Sequence, residues 1–405
     1  MLDDFGQRIR DIILSEMDLS RELSDEEICD LIGSVVSREA RDRPMTIKDR
    51  AELERTIFNS LRKLDVLQEL VDDRDVTEIM VNGPNDIFYE KAGRIQRFKG
   101  HFSSEEKLED VIQQIVGRHN RVVNQASPIV DTRLSDGSRV NIVLNPISIG
   151  GSAVSIRKFP EHPMSMERLV EIEALSPEVA RLLQILTQAK YNIFISGGTG
   201  SGKTTFLNAL SQYIPDDERI ITIEDSAELQ LLGAKNIVRL ETRNANTDVV
   251  TPITIRDLIR TALRMRPDRI IVGECRGAEA LDMLQAMNTG HDGSLSTGHA
   301  NSPHDIISRI ETMVLQGQDF PLNAIRQQIA SGIDIIVQLG RLRDKSRRVL
   351  EISEVDGFMD GEIVLHTLYR FEETAVLDSG RIQGFLKKAG TLCHTDKLMA
   401  AGLSV

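Results

Sequence analysis

The chain has 405 residues, which predicts two or three domains because a single hydrophobic core seldom grows that large. Apolar residues make up 40% and charged residues 27%, a normal balance for a globular protein. The net charge of −13 argues against broad nucleic-acid binding, since phosphate affinity comes mainly from clustered Lys and Arg. Three isolated cysteines, Cys29, Cys275 and Cys393, exclude a disulfide framework and a four-thiolate zinc site.

Hydropathy and the first residues bear on the cellular compartment. No apolar run approaches the ~18 residues of a membrane-spanning helix. The opening stretch MLDDFGQRIRD is too polar and acidic for a signal peptide. We therefore expect a cytoplasmic protein that reaches any membrane through a partner.

Residues 1–70 are predicted to form a small bundle of three helices. The first helix lies near residues 5–17. Ser24 and Glu27 form a capping-box pattern ahead of apolar residues that recur every three or four positions. Thr46 begins the third helix, which carries a similar apolar stripe.

Residues 71–160 are predicted to form an α+β domain of PAS-like type. VTEIMVNG and DIFYEKAGRIQRF alternate as half-buried strands do, and a helix is predicted from Ser104 to about Arg118. IVDTRLSDGSRVNIVLN predicts a hairpin, because Asp136 and Gly137 suit a tight turn. SAVSIRKF predicts a last strand, and FPEHPMS, residues 159–165, predicts a linker.

Residues 161–405 alternate between strands and helices, which predicts an α/β domain with a largely parallel sheet. Ser176 and Pro177 begin a helix that runs to about Lys190. The predicted strands are YNIFIS, RIITIE, NIVRLE, DRIIVGE and SLSTGHA, and helices are predicted over 203–214, 254–265, 277–289 and 303–316. The last ~70 residues are expected to hold short strands and turns.

A glycine-rich loop between a strand and a helix carries the strongest chemical signal. It consists of Gly197, Gly198, Thr199, Gly200, Ser201, Gly202, Lys203, Thr204 and Thr205. This is the phosphate-loop pattern, in which backbone amides surround phosphate oxygens at the start of a helix. Lys203 is expected to reach the β- and γ-phosphates of ATP, and the Thr204 hydroxyl to ligate Mg²⁺. A tight turn with an incidental lysine is the alternative, and the strand and helix around the loop disfavour it.

Three carboxylates follow apolar strands in the same domain. Glu224 and Asp225 come after RIITI, and Glu274 comes after RIIVG. The carboxyl ends of parallel strands form the ligand crevice, so these acids should converge on the loop. One is expected to support Mg²⁺ and another to orient or deprotonate the attacking water. Helix capping is the alternative role for each acid taken alone.

Several stretches together resemble the secretion and pilus-assembly ATPases, which are RecA-like P-loop enzymes. They are VTEIMVNGPNDIFYEKAGR, PIVDTRLSDGSRVNIVLNP, SIRKF, FISGGTGSGKTTFLNALS, ITIEDSAELQL, TIRDLIRTALRMRPDRIIVGECRG and EALDMLQAMNTGHDGSLSTGHANSP. They cover roughly residues 70–315 in the family's order. The match is strongest to the CpaF branch, which drives tight-adherence (Tad) pili and is similar to type IV secretion ATPases. Cys275 departs from the aliphatic residue that the family pattern suggests.

The resemblance implies roles for individual residues. ITIED resembles the family's Asp box and makes Glu224 the candidate for polarising the attacking water. IIVGE resembles an atypical Walker B motif, which places Glu274 near Mg²⁺ together with Thr204. TGHDGSLSTGHANS resembles the His box, which implies that His299, and less strongly His291, link the phosphate site to the next element.

Arginines of the preceding domain form the remaining part of the predicted site. In the enzymes that this chain resembles, arginines of the N-terminal domain and linker close over the nucleotide. Arg133 and Arg139 on the predicted hairpin and Arg157 on the following strand are the matching candidates. An arginine on the γ-phosphate can be worth ~10³ to 10⁵ in rate. A plain surface charge is the alternative role for each of them.

The leading hypothesis is therefore a hexameric, Mg²⁺-dependent ATPase that powers assembly or retraction, or both, of a Tad or type IV-like pilus. It predicts a homohexamer at the cytoplasmic face of an inner membrane. Its expected partner there is a polytopic platform protein, with pilin engaged indirectly and no direct contact with nucleic acid. The alternative is an ATPase of a type IV secretion system that exports protein or DNA. A non-enzymatic ATP-sensing scaffold is a third hypothesis, and retention of Lys203, Glu224 and Glu274 weighs against it.

Overall fold

The structure is a computed structural model that describes residues 4–18, 20–21, 23–41, 43, 45–91, 93–118, 121–159, 163–243 and 251–405. The chain folds into two compact units, Met1–Glu161 and His162–Val405. Residues 160–162 of the predicted linker lie outside the described residues. The division into domains 1–70, 71–160 and 161–405 stays a prediction.

The first unit contains helices α1 to α5 and strands β1 to β6. The helices are α1 (Asp4–Glu16), α2 (Asp25–Glu39), α3 (Ile47–Arg62), α4 (Gln68–Asp72) and α5 (Glu105–Gly117). The strands are β1 (Val76–Asn82), β2 (Ile87–Lys91), β3 (Arg94–Arg97), β4 (Ile129–Arg133), β5 (Arg139–Val143) and β6 (Ala153–Arg157). A short 3₁₀ helix, Asp65–Leu67, precedes α4.

Helices α1 to α3 form the predicted bundle around an aliphatic core. The predicted capping box is present, because the Ser24 hydroxyl accepts a hydrogen bond from the Glu27 amide and the Glu27 carboxylate accepts one from the Ser24 amide. The buried core residues of the bundle are Ile9, Ile13, Ile28, Ile32, Val35, Val36 and Ile57.

The six strands of the first unit form one antiparallel sheet in the order β3-β2-β1-β6-β5-β4. One face of this sheet packs against α5 in a second core that includes Ile79, Ile112 and Ile142. The predicted hairpin is formed by β4 and β5, with Gly137 in the turn at a φ of +89°. The opposite face carries the exposed residues of the strands, as expected for an antiparallel sheet with one buried side.

The second unit contains helices α6 to α13 and strands β7 to β15. The helices are α6 (Met166–Glu171), α7 (Pro177–Gln188), α8 (Lys203–Ser211), α9 (Ile255–Ala262), α10 (Glu279–Asn288), α11 (Pro303–Gly317), α12 (Leu322–Gly332) and α13 (Asp396–Ala401). The strands are β7 (Ile193–Gly197), β8 (Arg219–Glu224), β9 (Asn236–Glu241), β10 (Arg269–Val272), β11 (Leu295–Gly298), β12 (Ile335–Arg341), β13 (Arg347–Met359), β14 (Glu362–Val376) and β15 (Ile382–Lys388).

These nine strands form one sheet in the order β15-β14-β13-β12-β7-β11-β10-β8-β9. The part from β12 to β9 is parallel, and the part from β12 to β15 is antiparallel. Ile193 and Ile195 of β7 face one core with α7 and α8, whereas Phe194 faces a second core with α9 to α12. Helices on both faces of a parallel sheet confirm the predicted α/β class.

The carboxyl-terminal region differs from the prediction of short strands. β13 has 13 residues and β14 has 15, and they form a long antiparallel extension of the sheet. Their pairing is interrupted by register shifts between Ile352 and Ser353 and between Val355 and Gly357. Each bulge breaks the alternation of apolar and polar residues, so one long strand has the sequence pattern of several short ones.

Candidate active site

The glycine-rich loop connects β7 to α8 at the carboxyl edge of the parallel strands. Gly200 and Gly202 have φ angles of +71° and +95°, a region that residues with a side chain rarely adopt. Gly202 is the N-cap of α8 and supplies no capping side chain, so the first amides of the helix face the loop. Such a helix start favours a bound anion.

Lys203 is the first residue of α8 and is only 7% exposed. Its Nζ donates hydrogen bonds to the carbonyl oxygens of Gly197, at 2.9 Å, and Gly198, at 3.1 Å. Burial lowers the pKa of Lys203, Glu274 opposes that shift, and Arg276 adds to it. The ammonium group is therefore held inside the loop by backbone dipoles.

His299 follows β11 and joins Lys203 to Glu274. Its Nδ1 lies 3.1 Å from Lys203 Nζ, and its Nε2 lies 2.7 Å from Glu274 Oε1. An ammonium group only donates, so Nδ1 must accept and the ring proton resides on Nε2. Burial and the charge of Lys203 lower the pKa of His299, which favours this neutral tautomer.

Glu274 lies two residues after β10, and its side chain is 20% exposed. Besides His299 it contacts Arg276, whose Nη2 donates to Glu274 Oε2 at 2.5 Å. This contact raises the pKa of Arg276. The Glu274 carboxylate thus contacts the Arg276 guanidinium group and the His299 imidazole ring. The same imidazole ring contacts Lys203.

The oxygen donors expected for Mg²⁺ fit this edge of the sheet. Thr204 follows Lys203 in the first turn of α8, and within the described ranges its hydroxyl has no hydrogen-bond partner. Mg²⁺ in nucleotide sites takes one or two protein oxygens and fills its shell with phosphates and water. In the part of the chain that the structure describes, no group of three or more His, Cys, Asp and Glu side chains could hold a metal ion.

Glu224 is the last residue of β8 and is 3% exposed. Its Oε2 accepts hydrogen bonds from the backbone amides of Glu228, at 2.6 Å, and Leu229, at 2.9 Å. A Cβ on Gly273 would lie 2.8 Å from Glu224 Cγ, so the side chain packs against the residue that precedes Glu274. The carboxylate therefore has a fixed position beside the Glu274 segment.

Asp225 and His291 lie outside the set of contacts around Lys203. Asp225 is exposed, and its Oδ2 lies 3.7 Å from Arg276 Nη1. His291 precedes β11 whereas His299 follows it, so the two histidines lie at opposite ends of one strand. The Nδ1 of His291 lies 3.3 Å from the carbonyl oxygen of Ala286 at the end of α10. Of the two histidines, the structure brings His299 to Lys203.

Arg133, Arg139 and Arg157 lie in one row on the sheet of the first unit. Arg133 on β4 pairs with Arg139 on β5, and Arg139 pairs with Arg157 on β6. Glu78 of β1 continues the row, with its Oε1 at 3.8 Å from Arg157 Nε. Cross-strand neighbours project from the same face of a sheet, so this row concentrates positive charge on one face.

Residues 60–383 match the type II/IV secretion system protein family. The chain belongs to this family. It is an ATP hydrolase, with the phosphate loop, Lys203 and the strand-end acids on one edge of its parallel sheet.

Two relatives illustrate the range of this secretion family. The chain is 33% identical over 320 residues to the type IV secretion system protein PtlH of Bordetella pertussis, covering 73% of this chain and 94% of that protein. It is 31% identical over 332 residues to the conjugal transfer protein TrbB of Rhizobium radiobacter, covering 81% and 98%.

The fold is similar to that of the pilus retraction motor PilT, solved with bound ADP. The TM-score is 0.55 at 22% identity, and the match covers 82% of this chain and 84% of that one. The fold of the second unit is thereby RecA-like, as predicted. Among the residues that the structure describes, no helix is long and apolar enough to cross a membrane.

Two arginines of this secretion ATPase were missed by the sequence analysis. Arg276 lies two residues after Glu274 within the quoted stretch GECRG, so proximity in sequence could have identified it. Arg347 donates from Nε to the carbonyl oxygen of Gly200 at 2.8 Å, across 147 positions of sequence. No motif around Arg347 connects it to the loop, so no sequence signal was available.

Proposed function

We propose that the chain is a hexameric, Mg²⁺-dependent ATPase that converts ATP hydrolysis into motion of an envelope machine. The observation that supports this most directly is the continuous contact from Lys203 through His299 to Glu274. This contact joins the cation of the phosphate loop, which binds the phosphates of a nucleotide, to a strand-end acid, which supports its metal ion.

The phosphate loop binds the nucleotide in this proposal. The amides of residues 197–205 surround the phosphate oxygens, and Lys203 exchanges its contacts with the Gly197 and Gly198 carbonyls for the β- and γ-phosphates. The Thr204 hydroxyl and the Glu274 carboxylate hold Mg²⁺ directly or through water. When bound, the metal neutralises the charge that develops on the phosphate oxygens.

Glu224 polarises the attacking water. Two backbone amides hold one of its oxygens, so the carboxylate is oriented before the nucleotide arrives. A carboxylate that orients or deprotonates a nucleophile contributes about 10²- to 10⁴-fold to the rate. Glu274, which pairs with Arg276 and His299, is instead assigned to the metal.

The row Arg133, Arg139 and Arg157 completes the site during turnover. A guanidinium group presents a planar fork of donors that matches phosphate oxygens. Three of them in adjacent strands supply the cation that stabilises the γ-phosphate as its charge is redistributed. Domain closure in the same chain, or a neighbouring copy in a ring, delivers them to the nucleotide.

Two machines are supported about equally as the setting of this activity. The resemblance to the CpaF branch favours assembly or retraction of a Tad pilus, at the cytoplasmic face of the inner membrane and on a polytopic platform protein. The relatives PtlH and TrbB favour a type IV secretion system that exports protein or DNA. The chain's net charge of −13 makes protein the better substrate in that case.

Affinity capture of the chain from a membrane fraction separates the two settings. A pilus motor is expected to retain a polytopic membrane protein together with pilin. A secretion ATPase is expected to retain channel components and no pilin. Recovery of channel components alone contradicts the pilus proposal.

The ATPase proposal predicts that Lys203→Ala abolishes turnover and weakens nucleotide binding, because the phosphates lose the cation of the loop. Steady-state hydrolysis measures the first effect and calorimetric titration with ATP the second. Turnover within tenfold of wild type contradicts the assignment. In a hexamer, adding Lys203→Ala subunits to wild type lowers activity by more than dilution does, whereas a linear mixing curve argues for independent subunits.

A further inference from the structure

A hairpin of the carboxyl-terminal region reaches the phosphate loop. It is formed by the end of β12, the turn 342–346 and the start of β13. Arg347, the first residue of β13, donates from Nε to the Gly200 carbonyl oxygen at 2.8 Å. Its Cδ lies 3.4 Å from the position that a Cβ would take on Gly202. The side chain of Arg347 therefore lies along the loop.

A second arginine lies directly opposite the first. Arg341, the last residue of β12, is the cross-strand partner of Arg347, and such partners project from the same face of a sheet. Both side chains are exposed. Within the described ranges, Arg341 has no hydrogen-bond or ion-pair partner, and the two terminal nitrogens of Arg347 have none either.

The neighbouring arginine of the same turn differs from this pair. Arg343 is neutralised by Glu373, with Nη1 at 2.7 Å from Oε2. Arg341 and Arg347 have no such acid, and two like charges opposite each other destabilise a hairpin. An anion between the two guanidinium groups removes that repulsion, and a phosphate matches their donor geometry.

The order of the strands indicates which part of a nucleotide lies there. β7, which leads into the phosphate loop, has β11 and β10 on one side and β12 on the other. Glu274 and His299 therefore lie on one side of the loop and the arginine pair on the other. A nucleotide whose terminal phosphate lies near Lys203 and Glu274 extends its nucleoside end toward β12 and β13.

We propose that Arg341 and Arg347 bind the α-phosphate of a nucleoside di- or triphosphate held in the phosphate loop. This inference rests on the proposed function, because it requires a nucleotide at that loop. Arg347 also holds the Gly200 carbonyl, so it couples the loop to β13. Among the described residues Arg341 makes no hydrogen bond to the loop, so its contribution to binding is through the ligand alone.

The test is calorimetric titration of the full chain with ADP and with ATP at fixed salt, for wild type, Arg341→Ala, Arg347→Ala and Arg343→Ala. We expect Arg341→Ala and Arg347→Ala each to weaken ADP binding about tenfold, the size of one charge-assisted hydrogen bond. The loss is equal for ATP, because both ligands carry the α-phosphate. Arg343→Ala also removes one arginine from this hairpin, and its affinity for ADP is expected to stay within about twofold of wild type.

The proposal is overturned if Arg341→Ala binds ADP as Arg343→Ala does, even where Arg347→Ala is defective, because Arg347 is then only a support for the loop. A loss confined to ATP overturns it as well, since that places the arginines on the γ-phosphate. Wild-type protein that binds neither nucleotide contradicts the proposed function itself. The two failures are thus distinguishable.

Discussion

The cation of the phosphate loop and the arginine row of the first unit are built in opposite ways. Lys203 is 7% exposed and its ammonium contacts two carbonyl oxygens and an imidazole. Arg157 has a side chain that is 65% exposed, and its row places three guanidinium groups side by side. Lys203 is thus buried in a fixed set of contacts. The three arginines lie together on one sheet face, where Arg157 is exposed and the other two are half-buried.

This difference suggests a division of labour. A buried, oriented cation suits ground-state binding, because its position is set before the ligand arrives. A row of neighbouring guanidinium groups attracts a further anion, so it suits a contact made late in the reaction. Interactions that are stronger in the transition state than in the ground state are the ones that raise the rate. Variants at the two sites should therefore separate nucleotide binding from turnover.

Among the variants expected to lower turnover without weakening ATP binding, Glu224→Gln should have the largest effect. The amide retains an oxygen that can accept from the Glu228 and Leu229 amides, so the loop keeps its structure. The variant cannot polarise water as a carboxylate does, and we expect turnover to fall by about 10²- to 10⁴-fold with ATP affinity nearly unchanged.

Glu241→Gln is the matched control for this variant. Glu241 is aligned with Glu224 on the neighbouring strand β9 and is assigned no role in the chemistry. Steady-state hydrolysis and ATP titration measure turnover and ATP affinity for both variants. Normal turnover in Glu224→Gln contradicts the assignment and leaves that acid as a structural group.

Replacement of Arg133, Arg139 and Arg157 by alanine is expected to have the next largest effect. Turnover should fall by at least about tenfold for each single variant, whereas ATP affinity changes little, because the contact strengthens as charge moves. Arg94→Ala on β3 of the same sheet is the control for a lost surface charge. If affinity falls as much as turnover, the row belongs to ground-state binding.

The smallest effect concerns His299 and pH. Its pKa is lowered from 6.5, so its neutral form, which accepts from Lys203 and lies beside Glu274, is favoured at neutral pH. The contribution is present above pH 6.5 and is lost as the pH falls below that value, because protonation removes the acceptor and adds a charge beside Lys203.

We therefore expect the wild-type rate to stay level down to pH 6.5 and to decline severalfold at lower pH, as the pH falls through the lowered pKa of His299. His299→Gln should be slower at pH 7 and should lack this decline, whereas His304→Gln, at an exposed position of α11, should keep it. Rate profiles from pH 5 to 8 measure the difference. If the rate of His299→Gln still declines at low pH, the decline is due to the titration of another group.

Much of the fold was predictable because local chemistry determined it. The capping box at Ser24 and the strand–loop–helix context of Lys203 are short patterns with one structural solution. The helix α12 was missed although Ile325 and Ile329 have helical spacing, because its N-cap, Pro321, makes no side-chain capping contact. Weak start signals leave such helices unrecognised.

The rest of the site depends on pairing across long stretches of sequence. The alignment of Arg133, Arg139 and Arg157 requires the register of three strands, and the turn chemistry at Gly137 alone does not give that register. The contact of Arg347 with Gly200 joins positions 147 residues apart. The contact from Lys203 through His299 to Glu274 likewise requires that β7, β10 and β11 lie side by side.

The most direct test of the central claim compares two ligands in two proteins. ADP alone represents the ground state, and ADP with aluminium fluoride mimics the phosphoryl group in transfer. For wild type we expect binding of the fluoride complex at least about 10²-fold tighter than ADP. In the triple variant of Arg133, Arg139 and Arg157 to alanine, most of that preference should disappear while ADP affinity stays within about threefold. An undiminished preference in the triple variant would contradict the claim that the arginine row acts on the transition state.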